Sequence, residues 1–433
     1  MIKIVSCVIA FALTMGQVRQ LSLAEAIQLG MENNTQLIVQ RSNLKIADSQ
    51  VDEAFGSLLP KIDGKIQYLQ NVEKAKIVGF GPDPIEIGRK HNAVLSLNVD
   101  QPIWIAGKTF TAYDIVKLNK TIEELKLKDA ENNFVYSVMQ IYYAAILAKE
   151  RLLVLNKTYE SAKLNFKNIQ TESQAGTISE FDSLQAAVRL MSIEPDIQKQ
   201  ERDYKSTLNQ LKIQIGLALE SELNLTDKLI YRDYAIVKLE PGDLFNRNTQ
   251  IKQSEAAITI SEKYNSLETA NYYPEVSAFA NYSKNYFSEE FSTLTDVSYS
   301  TLTIGIDIKI PIFRGFARAN KIEQSELQVQ IAETNANQAK SAVQNQSADI
   351  LSKISETKKR VQYHQRTKEL GERTVEIARL RYQNGLSTFL DLNTIENNYL
   401  EIQLAYLYAL YEYELAVAEY KKLIGELAKG EEK

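Results

Sequence analysis

Two periodicities divide the chain. From residue 302 to 312 the apolar side chains Leu302, Ile304, Ile306, Ile308, Ile310 and Ile312 alternate with Thr303, Gly305, Asp307 and Lys309. A second alternation sets Ala93, Leu95, Leu97 and Val99 against Ser96, Asn98 and Asp100, and weaker ones run through 62–69 and 276–282. Period two predicts strands with one apolar and one wet face. Elsewhere the spacing is helical. Phe134, Ile141, Ala148, Leu155, Ala162 and Ile169 recur every seven residues, with Val138, Ala145, Leu152, Tyr159 and Phe166 four positions on. Ile322, Val329, Ala336, Val343 and Ile350 repeat that spacing. Such narrow stripes are coiled-coil seams rather than broad globular faces. No glycine lies between Gly107 and Gly176, so 109–173 reads as one helix, roughly 98 Å long at helical rise. Helices over 24–57 and 180–215 would measure roughly 51 and 54 Å, and together match it.

The same landmarks return about 210 residues later. Asn34-Thr35-Gln36-Leu37 reappears as Asn248-Thr249-Gln250-Ile251 and Pro60 as Pro274, an offset of 214. Pro102 then matches Pro311, Gly176 matches Gly385, Asp182 matches Asp391 and Gly216 matches Gly425, an offset of 209. The chain is therefore two copies of one unit. Copy one is 17–216, with a strand pair in 61–103, a long helix at 109–173 and a return helix at 180–215. A connector fills 217–244. Copy two is 245–425, with a strand pair in 274–312, helices at 317–381 and 388–424, and a tail at 426–433. Pro195 is expected to kink the return helix of copy one, where copy two has no matching proline.

The first residues read as a secretory signal peptide over 1–16: Lys3, then an apolar run from Ile4 to Met15, too short for a bilayer-spanning helix of about 20 residues. No later apolar run is long enough either, so strands are the remaining way into a membrane. The nearly pure aliphatic face at 302–310 opposite Asp and Lys fits lipid on one side and water on the other, and Trp104 and Phe313 sit where interface aromatics belong. Four strands cannot close a membrane barrel, whose smallest size is about eight, and an open edge in lipid leaves backbone groups unpaired. An obligate oligomer follows. The rival reading is a secreted coiled-coil structural or adaptor protein with a small soluble β-domain.

Composition narrows the chemistry. With 50 Lys+Arg against 55 Asp+Glu the net charge is −5, which leaves no cation excess for a nucleic-acid partner. The one cysteine, Cys7, is in the leader, and the histidines are His91 and His364 alone. No nucleophile–base set, phosphate loop or metal-ligand cluster stands out, so no enzyme activity and no cofactor are expected.

The duplicated strand–helix unit, QAGTISEFDSLQA in copy one and YQNGLSTFLDLNT in copy two resemble the TolC-like outer membrane efflux proteins over essentially the whole chain after the leader. The resemblance implies a mainly α fold with a membrane β-barrel portion: a homotrimer with a 12-stranded barrel among outer membrane lipid and a periplasmic α-helical tunnel. It implies docking onto a periplasmic adaptor (membrane fusion) protein and an inner-membrane transporter, whose cargo could be a drug, a metal ion or a polypeptide. It also implies that Gly176, Thr177, Ile178, Gly385, Leu386 and Ser387 are hairpin turns touching the adaptor, and that Asp182, Asp391 and Tyr382 line a closed entrance. There, three-fold repetition of a carboxylate would favour cations. The same residues carry a second reading, since Ser179-x-x-Asp182 and Thr388-x-x-Asp391 are helix-start signatures. The two roles are compatible. Ser387 and Thr394 occupy positions where some family members have a basic and an acidic residue, so no acid–arginine gate is expected at those positions. His364, His91 and the tyrosines from Tyr399 to Tyr420 read as packing residues.

Overall fold

The structure, a computed structural model, describes residues 19–77 and 85–429. The leader at 1–16 lies outside the described residues. Copy one runs β1 (Arg19–Leu21), α1 (Leu23–Asn33), α2 (Thr35–Gly56), β2 (Lys61–Gln70), β3 (Ala75–Ile77), β4 (Ile85–Ile87), β5 (His91–Trp104), α3 (Lys108–Gln174) and α4 (Glu180–Ile215). After β6 (Leu223–Leu225), copy two runs α5 (Pro241–Arg247), α6 (Thr249–Ala270), β7 (Glu275–Ser288), β8 (Ser298–Lys309), α7 (Ala317–Gln383) and α8 (Phe389–Leu423). Helices α3 and α7 have 67 residues each, and α2 and α6 have 22 each. The duplication therefore holds at the level of elements. Helix α4 continues through Pro195. Two compact units divide the chain: one of Met1–Ser42, Leu125–Lys252 and Gln338–Lys433, the other of Asn43–Glu124 and Gln253–Asn337.

The second unit holds a four-stranded antiparallel sheet ordered β2-β5-β7-β8, in which the last strand of copy one pairs with the first of copy two. The registers set Ile62, Val99, Ala280 and Ile304 in one row and Gly64, Leu97, Tyr282 and Leu302 in the next. The neighbouring rows, on the opposite face, read Lys61-Asp100-Phe279-Gly305 and Asp63-Asn98-Asn281-Thr303. Over these rows one face is mainly apolar and the other mainly polar, with Phe279 the exception. Among the described residues nothing covers the aliphatic face of β8: Leu302, Ile304, Ile306 and Ile308 are 64, 74, 65 and 59% exposed. The outer strands β2 and β8 leave two unpaired edges. All four strands, at 10 to 14 residues, exceed or match the roughly 9–11 needed to cross a bilayer.

Three expectations for this unit change. The aliphatic strand stops at Lys309, so Ile310 and Ile312 lie beyond it. Pro311 has no amide hydrogen for the ladder, and Lys309 already pairs with Glu275, the first residue of β7. Strand β7 runs six residues past the alternation at 276–282, through Lys284 and Tyr286, whose cation–ring contact stands at 5.3 Å. The segment between β2 and β5 carries the short β3–β4 hairpin, too brief for alternation to register. Trp104 ends β5 across a register shift beside Val276, and Phe313 packs edge-on against Phe316 at 5.6 Å. His91 is a packing residue: its Nδ1 pairs with Tyr68 Oη at 2.7 Å beneath Phe291.

The first unit is a helical core whose heptad stripes are inside. Phe134, Val138, Ala145, Ala148, Leu155, Ala162 and Ile169 of α3 are buried, as are Val343 and Ile350 of α7, while Ala336 is buried within the second unit. Tyr413 and Tyr420 of α8 are buried too, with Tyr420 Oη donating to the Val237 carbonyl at 3.0 Å. The strands β1 and β6 form a two-stranded parallel sheet, tied down by Tyr142, whose hydroxyl donates to the Leu21 carbonyl and Asp227. The expected single helices at 24–57 and 245–271 are each broken, at Asn34 and Asn248. Both asparagines adopt extended backbone angles, which end one helix and cap the next. Asn34 Oδ1 accepts from the amides of Gln36 and Leu37, and Asn248 Oδ1 from that of Ile251. Their amide nitrogens donate to Gln214 and Leu423 carbonyls at the ends of α4 and α8. These partners are 209 residues apart, so the joint is duplicated atom for atom.

Candidate functional site

The α3–α4 and α7–α8 hairpins both end within the first unit, and their turns are built alike. Long α-helices stop where a glycine enters the left-handed region, Gly176 at φ 77° and Gly385 at φ 70°. The amides of Gly176 and Thr177 return to the carbonyls of Ser173 and Glu172, and those of Gly385 and Leu386 to Tyr382 and Arg381. This closure satisfies the last carbonyls of each helix. Three residues later Ser179 and Thr388 cap the returning helices. Space is open around both glycines, so a side chain there meets backbone strain alone. Gly385→Ala is expected to cost about 1–2 kcal/mol, with Gly385→Asn milder; faster proteolytic nicking of the turn in the alanine variant is the measurement.

The two returning helices are capped differently. Ser179 Oγ accepts from the amides of Phe181 and Asp182 at 3.0 and 3.4 Å. At the second tip the reciprocal box is complete: Thr388 Oγ1 accepts from the Asp391 amide at 3.2 Å, and Asp391 Oδ2 accepts from the Thr388 amide and hydroxyl at 3.0 and 2.7 Å. The Thr388 hydrogen bonds hold the exposed Asp391 carboxyl below its ordinary value. A depressed carboxyl means the box is intact above the usual carboxylate range and is lost as pH falls through the lowered value.

The two tips meet in a small apolar cluster. Ile169, Ala186 and Phe389 are buried, with Phe166, Ile178 and Tyr382 packed against them. Ile178 thus faces inward, whereas Gly176, Thr177, Gly385 and Leu386 are exposed. Tyr382 meets Phe389 edge-on at 6.1 Å, and its hydroxyl is buried without a partner. Burial raises the Tyr382 phenol, and the carboxylates of Glu172 and Asp182 raise it further. Asp391 is engaged with its own cap. Ser387 Oγ is also buried and unpartnered, a poor substitute for a basic side chain. Sequence reading missed the charges just behind the tips. Arg379 of α7 pairs with Glu396 of α8 at 2.8 Å, and Arg189 of α4 is half-buried with one guanidinium nitrogen unpartnered; single arginines on polar helices have no spacing that marks them.

Among the described residues, no helix is long and apolar enough to cross a membrane, and no group of side chains is placed to hold a metal ion. The sheet is the surface suited to lipid and the tips are the exposed ends of the helical unit. The family model for outer membrane efflux protein matches residues 26–217 and 241–426, one stretch per copy. No curated protein matches the chain in sequence. Among solved structures, the outer membrane protein VceC from Vibrio cholerae superposes with a TM-score of 0.78 at 17% identity, over 93% of this chain and 96% of that one. The Campylobacter jejuni CmeC outer membrane channel gives 0.72 at 21%, over 94% and 86%. The open state of the Neisseria gonorrhoeae MtrE outer membrane channel gives 0.78 at 15%, over 94% and 89%. The fold is that of these channels, mainly α with a β-barrel portion, and the chain belongs to the outer membrane efflux protein family.

Proposed function

We propose that this protein is the passive exit duct of an efflux assembly. Three chains pool their four strands each into a 12-stranded barrel in the outer membrane, and the helices form a tunnel on the periplasmic side. The exposed tip residues Gly176, Thr177, Gly385 and Leu386 dock onto a periplasmic adaptor protein and, through it, an inner-membrane transporter that does the work. No bond is made or broken in the duct. The reading rests above all on the sheet: an uncovered aliphatic face with two unpaired edges requires both lipid and further strands. Detergent extracts of outer membranes should contain a heat-modifiable trimer. A freely soluble monomer in the periplasmic fraction would reject the duct in favour of the coiled-coil adaptor reading.

Within the duct, Asp391 serves the entrance as well as the cap. Its carboxylate is exposed, and a three-fold ring of such groups raises the local negative potential. Asp391→Ala is expected to increase single-channel conductance in planar bilayers and reduce cation preference. Asp391→Asn, which keeps an oxygen acceptor for the cap, should reduce the preference with a smaller rise in conductance. Unchanged selectivity in both would confine Asp391 to capping.

A further inference from the structure

The apolar face of the sheet ends in a charge. Away from Trp104 and Val276, the rows on that face pass Ala278-Ile306, Ala280-Ile304 and Tyr282-Leu302 before they reach Leu95-Lys284-Ser300. Among the paired residues of β2, β5, β7 and β8 on this face, Lys284 stands alone as an Asp, Glu, Lys or Arg, whereas the opposite face carries Lys61, Asp63, Lys65, Asp100 and Asp307. Its height is telling. From Val276 to Lys284 is eight residues of β7, roughly 27 Å along a strand and roughly 21 Å of membrane at a tilt of about 40°. Membrane barrels carry an apolar band of about 25 Å between two aromatic girdles, and here Trp104 marks one end while Tyr282, Tyr286 and Tyr68 mark the other. Helices α2 and α3 join the sheet at the Trp104 end, so Lys284 belongs to the end away from the helices. A lipid-facing cation costs least at such an interface, where a long stem carries it to the head groups.

The protein itself supplies no anion there. Strand β7 is an inner strand, and the strands of a second copy would present this same acid-free face. Glu289, the first acid beyond β7, is already paired with Lys74 and Arg89 at 2.7 and 3.3 Å. The Lys284 ammonium lies 5.3 Å from the centre of the Tyr286 ring, and Ser300, its neighbour across the ladder, accepts from Tyr282 Oη at 3.3 Å. We propose that Lys284 and Ser300 form a binding site for the phosphate of an outer-leaflet glycolipid, one site per chain on the lipid side of the sheet. The ammonium supplies the charge, the serine hydroxyl a hydrogen bond, and the tyrosines bracket the head group. The site rests on the duct reading, which puts this face in lipid.

Trimers extracted from outer membranes and moved into phosphatidylcholine nanodiscs doped with lipid A should retain the glycolipid, counted by native mass spectrometry. Lys284→Met keeps an apolar stem and is expected to weaken retention about tenfold or more, the worth of a hydrogen bond to a charged group. Lys284→Arg should restore it. Lys65→Met, which removes a lysine from the polar face in the neighbouring row, should leave retention at the parental value. Lipid A stripped of its phosphates should no longer distinguish the parent from Lys284→Met, and added inorganic phosphate should displace nothing. Parental retention by Lys284→Met trimers, or an equal loss in Lys65→Met, overturns the site and leaves the duct standing. Displacement by inorganic phosphate makes this a free-anion site and overturns the lipid. A protein that yields no outer membrane trimer overturns the duct and the site together.

Discussion

Ile306→Arg is expected to remove the protein from the outer membrane. Ile306 lies mid-strand on the uncovered face, 65% exposed, in a row with Ala278. An arginine on the lipid face near the bilayer midplane costs about 2–4 kcal/mol, and each copy in an assembly bears that cost again. The control is three residues away. Thr303→Arg adds the same charge to the polar face, beside Asn281 and the Asp63-Asn98 row, where water is available and the barrel should still form. Membrane fractionation with heat-modifiability of the trimer measures both. Equal tolerance of the two variants would mean the aliphatic face is not in lipid, and the duct would go with it.

Asn248→Ala should be the most damaging single change in the helical unit among the polar residues described. Asn248 is 5% exposed; its oxygen caps α6 at the Ile251 amide and its nitrogen reaches the Leu423 carbonyl at 2.9 Å. Losing the cap costs about 0.5–2 kcal/mol, and leaving a buried carbonyl unpaired about 1–3 kcal/mol more. The equivalent change Asn34→Ala removes the same bonds from a half-exposed position, where water replaces the partner, so about 1 kcal/mol is expected. Chemical denaturation in detergent, followed by circular dichroism, should rank the two. Equal losses would show that burial does not decide the worth of this joint.

Those asparagines also show how much the sequence disclosed. They were visible as repeat landmarks, and Asn-Thr is a helix-start signal. The apolar spacing nevertheless runs through them without a change of phase, so the break passes for continuous helix. The return helix bounded by Ser179 and Gly216 is legible to the residue, because a cap and a left-handed glycine are local chemistry. Strand ends are less so: Lys284 and Tyr286 interrupt the alternation although the ladder continues, since hydrogen bonding and not side-chain polarity extends a strand. The β1–β6 pair joins segments of three residues each, across 204 positions, and pairing at that distance leaves no periodic trace. At the tips, the Thr388-x-x-Asp391 spacing announces its box, whereas Arg379 and Glu396 acquire meaning only when α7 and α8 are side by side.

The unpaired edges β2 and β8 have a consequence for cells carrying two versions of this protein. A variant damaged at β8 with β2 intact still offers one good edge to healthy chains. It would join them and leave the ring unable to close. Such a variant should therefore poison its normal counterpart on co-expression, whereas a variant that never folds would be cleared and harm nothing.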